Sequence, residues 1–244
     1  MNLKAYDVYI KNRETKIINR RYRMKHIVVD LEMNTIRRKS EARKIWNMET
    51  IEIGAVMLDD NLEEIASFRT YVKPEFNDCI ERKITRLTGI TDDMVKNAPS
   101  FSEALRMFTN WCLGTNDDVT IYAWSESDYM QISNEMFLKN YHVSDREKDL
   151  LLNEWSDFQH EFDSHLGFQK QVSLRMALDM AGVDFAGREH DALDDARNTA
   201  ELLHIFRDRN LFDLTLRKIK EYMEPSSVAS SMGELFDFSM FACA

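Results

Sequence analysis

Strand and helix signals follow one another along this chain in an order that few folds accommodate. An apolar run at residues 27–29 precedes two β-rich runs, TIEIGAVMLDD at 50–60 and IASFRTYVKP at 65–74, which a polar turn separates. Beyond them, helical patterns alternate with short apolar runs such as VTIYAW at 119–124. A set of adjacent strands followed by this alternation predicts an α/β domain with a mixed sheet.

Capping signals predict where several helices begin and end. Ser100 followed by Glu103 fits a capping box, ahead of a helix that should end near Gly114. Thr91 can cap a short helix before it. Residues 143–151 are expected to form a charged turn or the start of a helix. The other expected elements are a strand over about 153–158 and helices over about 127–141, 173–180 and 191–207.

Composition narrows the class of protein. The net charge of −10 argues against a protein that coats nucleic acid, because non-specific phosphate binding needs an excess of Lys and Arg. It leaves room for an enzyme whose acidic site binds phosphate through metal ions. We expect a cytoplasmic protein without membrane contact, since the chain lacks a signal peptide and any apolar run of membrane-spanning length. Three widely spaced cysteines predict free or buried thiols, with neither a disulfide framework nor a zinc site: Cys79, Cys112 and Cys243.

Two carboxylates stand at the end of the first apolar run, in the stretch HIVVDLEMNT. Asp30 and Glu32 are two residues apart, so a strand points both side chains to the same face. Like charges held this close need a cation or a shared proton, unless the strand simply ends in solvent. Further acids follow later: Asp128 stands just after VTIYAW, and HDALDDA places Asp195 five residues after His190. These elements can converge on one rim of a sheet.

These motifs resemble those of the DEDD exonucleases of the ribonuclease H-like fold, in the subclass that uses histidine. The DxE pair of that family corresponds to Asp30 and Glu32, and the aspartate that opens the helix after the fourth strand corresponds to Asp128. The histidine followed five residues later by an aspartate corresponds to His190 and Asp195. The segments ITRLTGIT, YAWSESD and ALDMAGVDFAGREHDALDDARNTAELL look like one branch of the family. That branch includes the histone-mRNA 3′ exonuclease, the enhanced-RNA-interference exonucleases and the bacterial sporulation-inhibitor homologues.

The resemblance covers about residues 24–210 and implies a central mixed five-stranded sheet flanked by helices. It also implies hydrolysis of phosphodiester bonds at a free 3′ end, with release of nucleoside 5′-monophosphates. Relatives on this branch act mostly on RNA, so single-stranded RNA is the favoured substrate. The alternatives are the same chemistry on DNA, or a regulatory or partner-binding protein on the same fold.

The resemblance also implies a role for each motif residue. Hard cations such as Mg²⁺ or Mn²⁺ prefer carboxylate oxygen, and a pair of them can clamp the attacking and leaving oxygens. Asp30 would bridge the two ions, Glu32 and Asp195 would complete one site, and Asp128 would hold the second ion through water. His190 would be the general base, since histidine titrates near neutral pH. A five-residue spacing turns by about 140° on a helix, so we expect His190 just before the helix and Asp195 in its first turns.

Other residues near the motifs have competing interpretations. By resemblance, Met33, Leu87 and Ile90 would frame the terminal nucleotide, although Leu87 and Ile90 fit core positions equally well. Asp191 and Asp194 lie beside the motifs but are expected to be surface or helix-start charges. Glu126 is the alternative to Asp128 as the ligand, and Asp128 is preferred because Glu126 stands before the expected helix. Trp124 is expected in the core, and the basic run Arg37, Arg38 and Lys39 either guides the substrate backbone or is a solvated loop.

The two ends of the chain differ in composition from its middle. We predict a basic N-terminal extension at residues 1–24, an exonuclease domain at 25–215, and a helix end with a flexible tail at 216–244. The N-terminal extension could contact a polyanion or be a frayed terminus. The Ser-rich tail could bind a protein partner or the domain itself through its apolar residues, Leu235, Phe236, Phe238 and Phe241.

Overall fold

A computed structural model of the chain describes residues 24–114, 118–153 and 155–223. Its strands within these ranges are β1 (Met24–Thr35), β2 (Met48–Leu58), β3 (Glu64–Tyr71), β4 (Asp118–Ala123) and β5 (Trp155–Asp157). Its helices there are α1 (Arg82–Thr88), α2 (Asp92–Val95), α3 (Phe101–Cys112), α4 (Glu126–Leu138), α5 (Asp145–Leu152), α6 (Phe158–Leu166), α7 (Leu174–Ala181), α8 (Ala192–Arg207) and α9 (Arg209–Met223). A 3-10 turn at Glu41–Lys44 lies between β1 and β2.

The strands form one five-stranded sheet in the order β3-β2-β1-β4-β5. β1 and β3 both pair with β2 in antiparallel fashion, whereas β4 is parallel to β1 and to β5. The predicted mixed sheet flanked by helices is therefore confirmed. β4 runs parallel to β1 and ends at Ala123, opposite Val29, so Asp30 of β1 lies beside the carboxyl end of β4.

Side chains of β1 alternate between two hydrophobic clusters on opposite faces of the sheet. Ile27, Val29 and Leu31 are buried against the cluster that includes α3 and α5. Val28 is buried on the other face, among residues of α6, α7, α8 and α9. Asp30 and Glu32 continue the alternation of Val28 and therefore face α8.

Helix α8 lies unusually close to the strand that neighbours β1. A methyl group built on Gly54 of β2 would lie 2.3 Å from the backbone carbonyl carbon of Ala192 and 2.3 Å from the amide nitrogen of Leu193. Only a residue without a side chain allows this approach. Gly54 therefore permits the first turn of α8 to pack directly on the sheet.

Several elements agree with the sequence pattern, and others do not. The Ser100–Glu103 capping box is present at the start of α3, and Ser144 and Glu147 form a second box that makes the charged segment 143–151 a helix, α5. The last strand is present but shorter than expected. Helix α6 is not expected from the sequence, and α9 is expected only as a helix end after residue 215. Each begins within two residues of the preceding element and has no glycine or proline to announce it.

Parts of the predicted organisation concern residues beyond those described. The basic N-terminal arm up to residue 23, the apolar residues of the Ser-rich tail and Cys243 all lie outside the described ranges. The two described cysteines are free thiols, Cys79 exposed and Cys112 buried. Helix α9 runs across the predicted domain boundary at 215–216. The division of the chain into these domains stays a prediction. None of the helices in the described ranges has the length and apolar character that a membrane span requires.

Candidate active site

Four carboxylates from three separate elements meet at the carboxyl edge of β1 and β4. Asp30 and Glu32 come from β1, Asp128 from the first turn of α4, and Asp195 from the first turn of α8. Asp128 is anchored directly to β1, because its Oδ1 accepts a hydrogen bond from the backbone amide of Leu31 at 3.1 Å. Glu32, Asp128 and Asp195 are each exposed by less than a tenth, whereas Asp30 is half-buried.

His190 lies in the turn that immediately precedes α8. Its φ of 62° is in the left-handed region, and its backbone amide donates a hydrogen bond to Oδ2 of Asp195 at 3.1 Å. The side chain is exposed, and one ring nitrogen lies within 4.8 Å of a carboxylate oxygen of Glu32 and of Asp195. The histidine stands before the helix and the aspartate inside its first turn, as the five-residue spacing predicts.

Burial and mutual repulsion raise the pKa values of all four carboxyl groups. Burial, reinforced by the charge of Asp195, raises the pKa of Glu32 to about 8. Burial raises the pKa of Asp128 to about 7 and that of Asp195 to about 7, although a backbone hydrogen bond opposes the shift in each case. Burial and repulsion from Asp128 raise the pKa of Asp30 well above its usual range. Without a cation, the cluster therefore retains protons near neutral pH.

The donor set at this edge fits a hard divalent cation. Carboxylate oxygens are the ligands that Mg²⁺ and Mn²⁺ prefer, and an imidazole nitrogen is also compatible with Mn²⁺. Glu32, His190 and Asp195 are close enough to share one ion. Asp30 and Asp128 add two further carboxylates, and the charge of Asp128 raises the pKa of Asp30. A cation would relieve the repulsion that raises these pKa values, so its binding would release protons.

The acids beside the motifs make local contacts at helix starts. Glu126 is exposed, whereas Asp128 is buried and bonded to β1. Asp191 caps α8 by accepting a hydrogen bond from the backbone amide of Asp194. Asp194 in turn accepts one from the backbone amide of Arg188 at 2.9 Å. These contacts agree with the expectation that Asp191 and Asp194 are helix-start charges.

The residues expected to frame a nucleotide differ in their exposure. Leu87 is 48% exposed, whereas Ile90 is 1% exposed and buried in a small cluster with other aliphatic side chains. Met33 is half-buried against the core on the α3 side. Leu87 is therefore available to a ligand, and the position of Ile90 agrees with the core interpretation. Trp124 is buried and packs edge-on against Phe158, also as expected for a core residue.

The basic segment after β1 is a surface loop. Arg37, Arg38 and Lys39 are all exposed. Arg37 pairs with Asp78 at 2.9 Å, and its Nε donates a hydrogen bond to the carbonyl oxygen of Phe76. Arg37 therefore binds other surface residues of the same chain.

Two charged residues beside the site are not expected from sequence reasoning. Glu52 lies on β2 directly opposite Glu32 and is only 1% exposed. Arg69 of β3 donates from Nε to Glu52 and from Nη2 to Asp191, both at 2.6 Å. The sequence could have indicated Glu52, because it is a carboxylate inside the apolar run TIEIGAV and a buried charge requires a partner. Its partner carries no such signal, since Arg69 is an ordinary polar residue of an edge strand.

Comparison with known proteins gives this arrangement a family. A family model described as Exonuclease (RNase_T) matches residues 27–203, a range that contains all four carboxylates and the histidine. The chain belongs to this exonuclease family. The resemblance drawn from the motifs is thereby confirmed.

The curated relatives of this chain are longer proteins. It is 30% identical to ERI1 exoribonuclease 2 of Mus musculus over 227 residues, which cover 85% of this chain and 32% of the relative. It is 28% identical to 3′-5′ exoribonuclease 1 of Rattus norvegicus over 163 residues, which cover 63% of this chain and 45% of the relative. The chain thus spans about a third to a half of the length of these two relatives.

Solved structures share the fold of this chain. The crystallographic structure of the nuclease domain of 3′hExo, a DEDDh family member, bound to rAMP, superposes with a TM-score of 0.63. The superposition covers 76% of this chain and 92% of that domain at 23% sequence identity. At this level of identity the likeness concerns the fold.

Proposed function

We propose that this chain is a metal-dependent 3′–5′ exonuclease that acts on single-stranded RNA and releases nucleoside 5′-monophosphates. The observation that carries the proposal is the convergence of four carboxylates and one exposed histidine at a single edge of the sheet. Membership of the exonuclease family supports the reaction class. The names of the relatives, two exoribonucleases, favour RNA over DNA.

In this proposal the carboxylates hold two divalent ions, Mg²⁺ or Mn²⁺. Asp30, Glu32, Asp128 and Asp195 would hold these ions: Asp30 would contribute to both sites, Glu32 and Asp195 to one, and Asp128, through water, to the other. When bound, such ions neutralise the charge that develops on the scissile phosphate and its flanking oxygens. The hydrogen bond from Leu31 fixes Asp128 against β1, so that the ligands on α4 and β1 keep a constant separation.

His190 acts as the general base. Its exposed ring accepts a proton from the attacking water, whose oxygen forms the new bond to phosphorus. The bond from phosphorus to the 3′ oxygen of the preceding nucleotide breaks, and that oxygen leaves with a proton. The alternative role for His190 is that of a metal ligand beside Glu32 and Asp195, because the three lie close together.

The terminal nucleotide is bound by apolar side chains near the carboxylates. Leu87 is the best placed of the three candidates because it is exposed, whereas Ile90 is buried in an aliphatic cluster and Met33 is half-buried against the core on the α3 side. Apolar contact with a base tolerates any sequence. Preference for RNA requires a contact with the 2′-hydroxyl group, so DNA is the rival substrate.

The first experiment is degradation of labelled single-stranded RNA and matched DNA by the purified protein with Mg²⁺, Mn²⁺ or EDTA. We expect metal-dependent shortening from the 3′ end, lost in Asp30→Ala and in His190→Ala. Glu126→Gln is the matched control, because it changes an exposed acid two residues from Asp128 and should stay active. Intact RNA and DNA with either metal would overturn the proposal. Loss of Mn²⁺ affinity in His190→Ala would make His190 a ligand instead of the base.

Two further expectations accompany this function. A protein partner for the Ser-rich tail stays a prediction, since that tail lies outside the described residues. A cytoplasmic location also stays a prediction, which the free thiols of Cys79 and Cys112 support.

A further inference from the structure

Three charged side chains from three elements form a chain of ion pairs beneath the start of α8. Arg69 of β3 lies between Glu52 of β2 and Asp191, the cap residue of α8. Its Nε–Glu52 and Nη2–Asp191 distances are both 2.6 Å, and Nη2 also donates to the hydroxyl of Tyr71 at 3.1 Å. The fork of the guanidinium group thus reaches two carboxylates with two different nitrogens.

Glu52 is the fixed end of this chain. It is 1% exposed and lies on β2, directly opposite Glu32 of β1. Its second carboxylate oxygen faces the backbone amide of Ala192 at 3.5 Å. Arg69 links Glu52 to Asp191, which is the residue directly after His190.

The turn that carries His190 needs such support. Its φ of 62° is unfavourable for a residue with a side chain and persists only when the surroundings hold it. The ring is exposed. The residue after it, Asp191, is held by Arg69, and the amide of His190 is held by Asp195.

A second ion pair between the same two elements shows that this one is not needed merely to join them. Arg197 of α8 binds Glu64 of β3 with Nε and Nη2 at 3.2 and 3.1 Å. This pair lies nearly two turns further along α8 and is solvent-exposed on both sides. The pair through Arg69 differs in its location, next to His190.

We infer that Arg69, held by Glu52, is a positioning residue for His190. It fixes Asp191, and with it the turn that holds the imidazole beside Glu32 and Asp195. The inference rests on the proposed function, in which His190 is the base. Arg69 itself contacts neither His190 nor the four site carboxylates in the hydrogen bonds of the described residues.

The test compares Arg69→Lys and Asp191→Asn with the matched control Arg197→Lys. Lysine keeps the charge but cannot span both carboxylates. Asparagine still caps α8 but loses the ion pair, so it tests the same link if Arg69→Lys folds poorly. With single-stranded RNA and Mg²⁺, we expect kcat to fall about 10- to 100-fold in both variants, while KM changes by less than about twofold. Arg197→Lys should keep the wild-type kcat and a thermal midpoint similar to that of Arg69→Lys.

A double variant separates positioning from a general structural role. If Arg69 acts through His190, Arg69→Lys adds no further loss to the residual single-turnover rate of His190→Ala, measured with excess enzyme over long incubation; additive losses would overturn the inference. A wild-type kcat in both Arg69→Lys and Asp191→Asn would overturn it as well, while wild-type RNA hydrolysis keeps the proposed function. Failure of the wild-type protein to degrade RNA would overturn both.

Discussion

The backbone amide of His190 donates a hydrogen bond to the carboxylate of Asp195 across 3.1 Å. The bond closes the turn before α8 and ties the proposed base to a proposed metal ligand through the main chain. The turn requires a φ of 62° at His190, a conformation that residues other than glycine adopt at a cost in free energy. The position of the ring is therefore set at the expense of backbone strain.

This strain predicts a difference between two inactive variants. His190→Gly and His190→Ala should both lose hydrolysis, but the glycine variant should be more stable, by about 1 kcal/mol, because glycine adopts positive φ without strain. Urea unfolding of the metal-free proteins measures the difference. An alanine variant as stable as the glycine variant would mean that residue 190 does not keep this conformation in solution.

Substitution of Gly54 should displace α8. In Gly54→Ala the new methyl group would lie 2.3 Å from the backbone of Ala192, so the helix has to move. We expect a loss of about 1–3 kcal/mol of stability, together with lower activity because α8 carries Asp195. The control is Gly114→Ala, where the nearest described atom to the added methyl group is the carbonyl oxygen of Asn110 at 3.2 Å. Equal stability of the two variants in urea would contradict the close packing of α8 on β2.

The raised pKa values predict how the stability of the metal-free protein depends on pH. The carboxyl groups of Glu32, Asp128 and Asp195 keep their protons to about pH 7–8 when folded, whereas in the unfolded chain they lose them near pH 4. Between these values the folded state binds more protons, so the contribution of the site to stability falls as pH rises.

Thermal unfolding in EDTA at pH 5 and pH 8 tests this expectation. The decrease in the midpoint of the wild-type protein should exceed that of Asp128→Asn, in which one repelling charge is gone. The difference between the two proteins removes the effects of other titrating groups. Saturating Mg²⁺ or Mn²⁺ at pH 8 should raise the wild-type midpoint. A larger decrease in the variant would contradict the pKa directions.

A buried ion pair far from the charged edge predicts a large loss of stability. Glu135 has a fully buried side chain and lies 2.7 Å from Nζ of Lys139, which is 4% exposed. Lys139→Met should cost about 3–5 kcal/mol, because it leaves a buried carboxylate without its cation. Lys44→Met, which breaks an exposed pair with Glu41, should change stability by less than about 1 kcal/mol. Similar urea midpoints for the two variants would contradict this account.

Local patterns were sufficient for much of the fold. Strand alternation placed Asp30 and Glu32 on one face, and the capping box at Ser100 located the start of α3. Such signals involve residues within a few positions of each other, so they can be recognised in the sequence without a tertiary structure. The sequence pattern does not indicate helix α6, because the helix follows β5 directly. Asp157 is both the last residue of the strand and the cap of the helix.

The sequence by itself determined the mixed α/β sheet, the order of the motifs and the family to which they belong. Only the tertiary structure decided that Ile90 is buried while Leu87 is exposed, and that Arg69 joins Glu52 to Asp191. Arg69 and Asp191 are 122 positions apart, and no periodic pattern connects residues at that separation. Their pairing depends on how α8 packs across the sheet, which is a property of the whole fold.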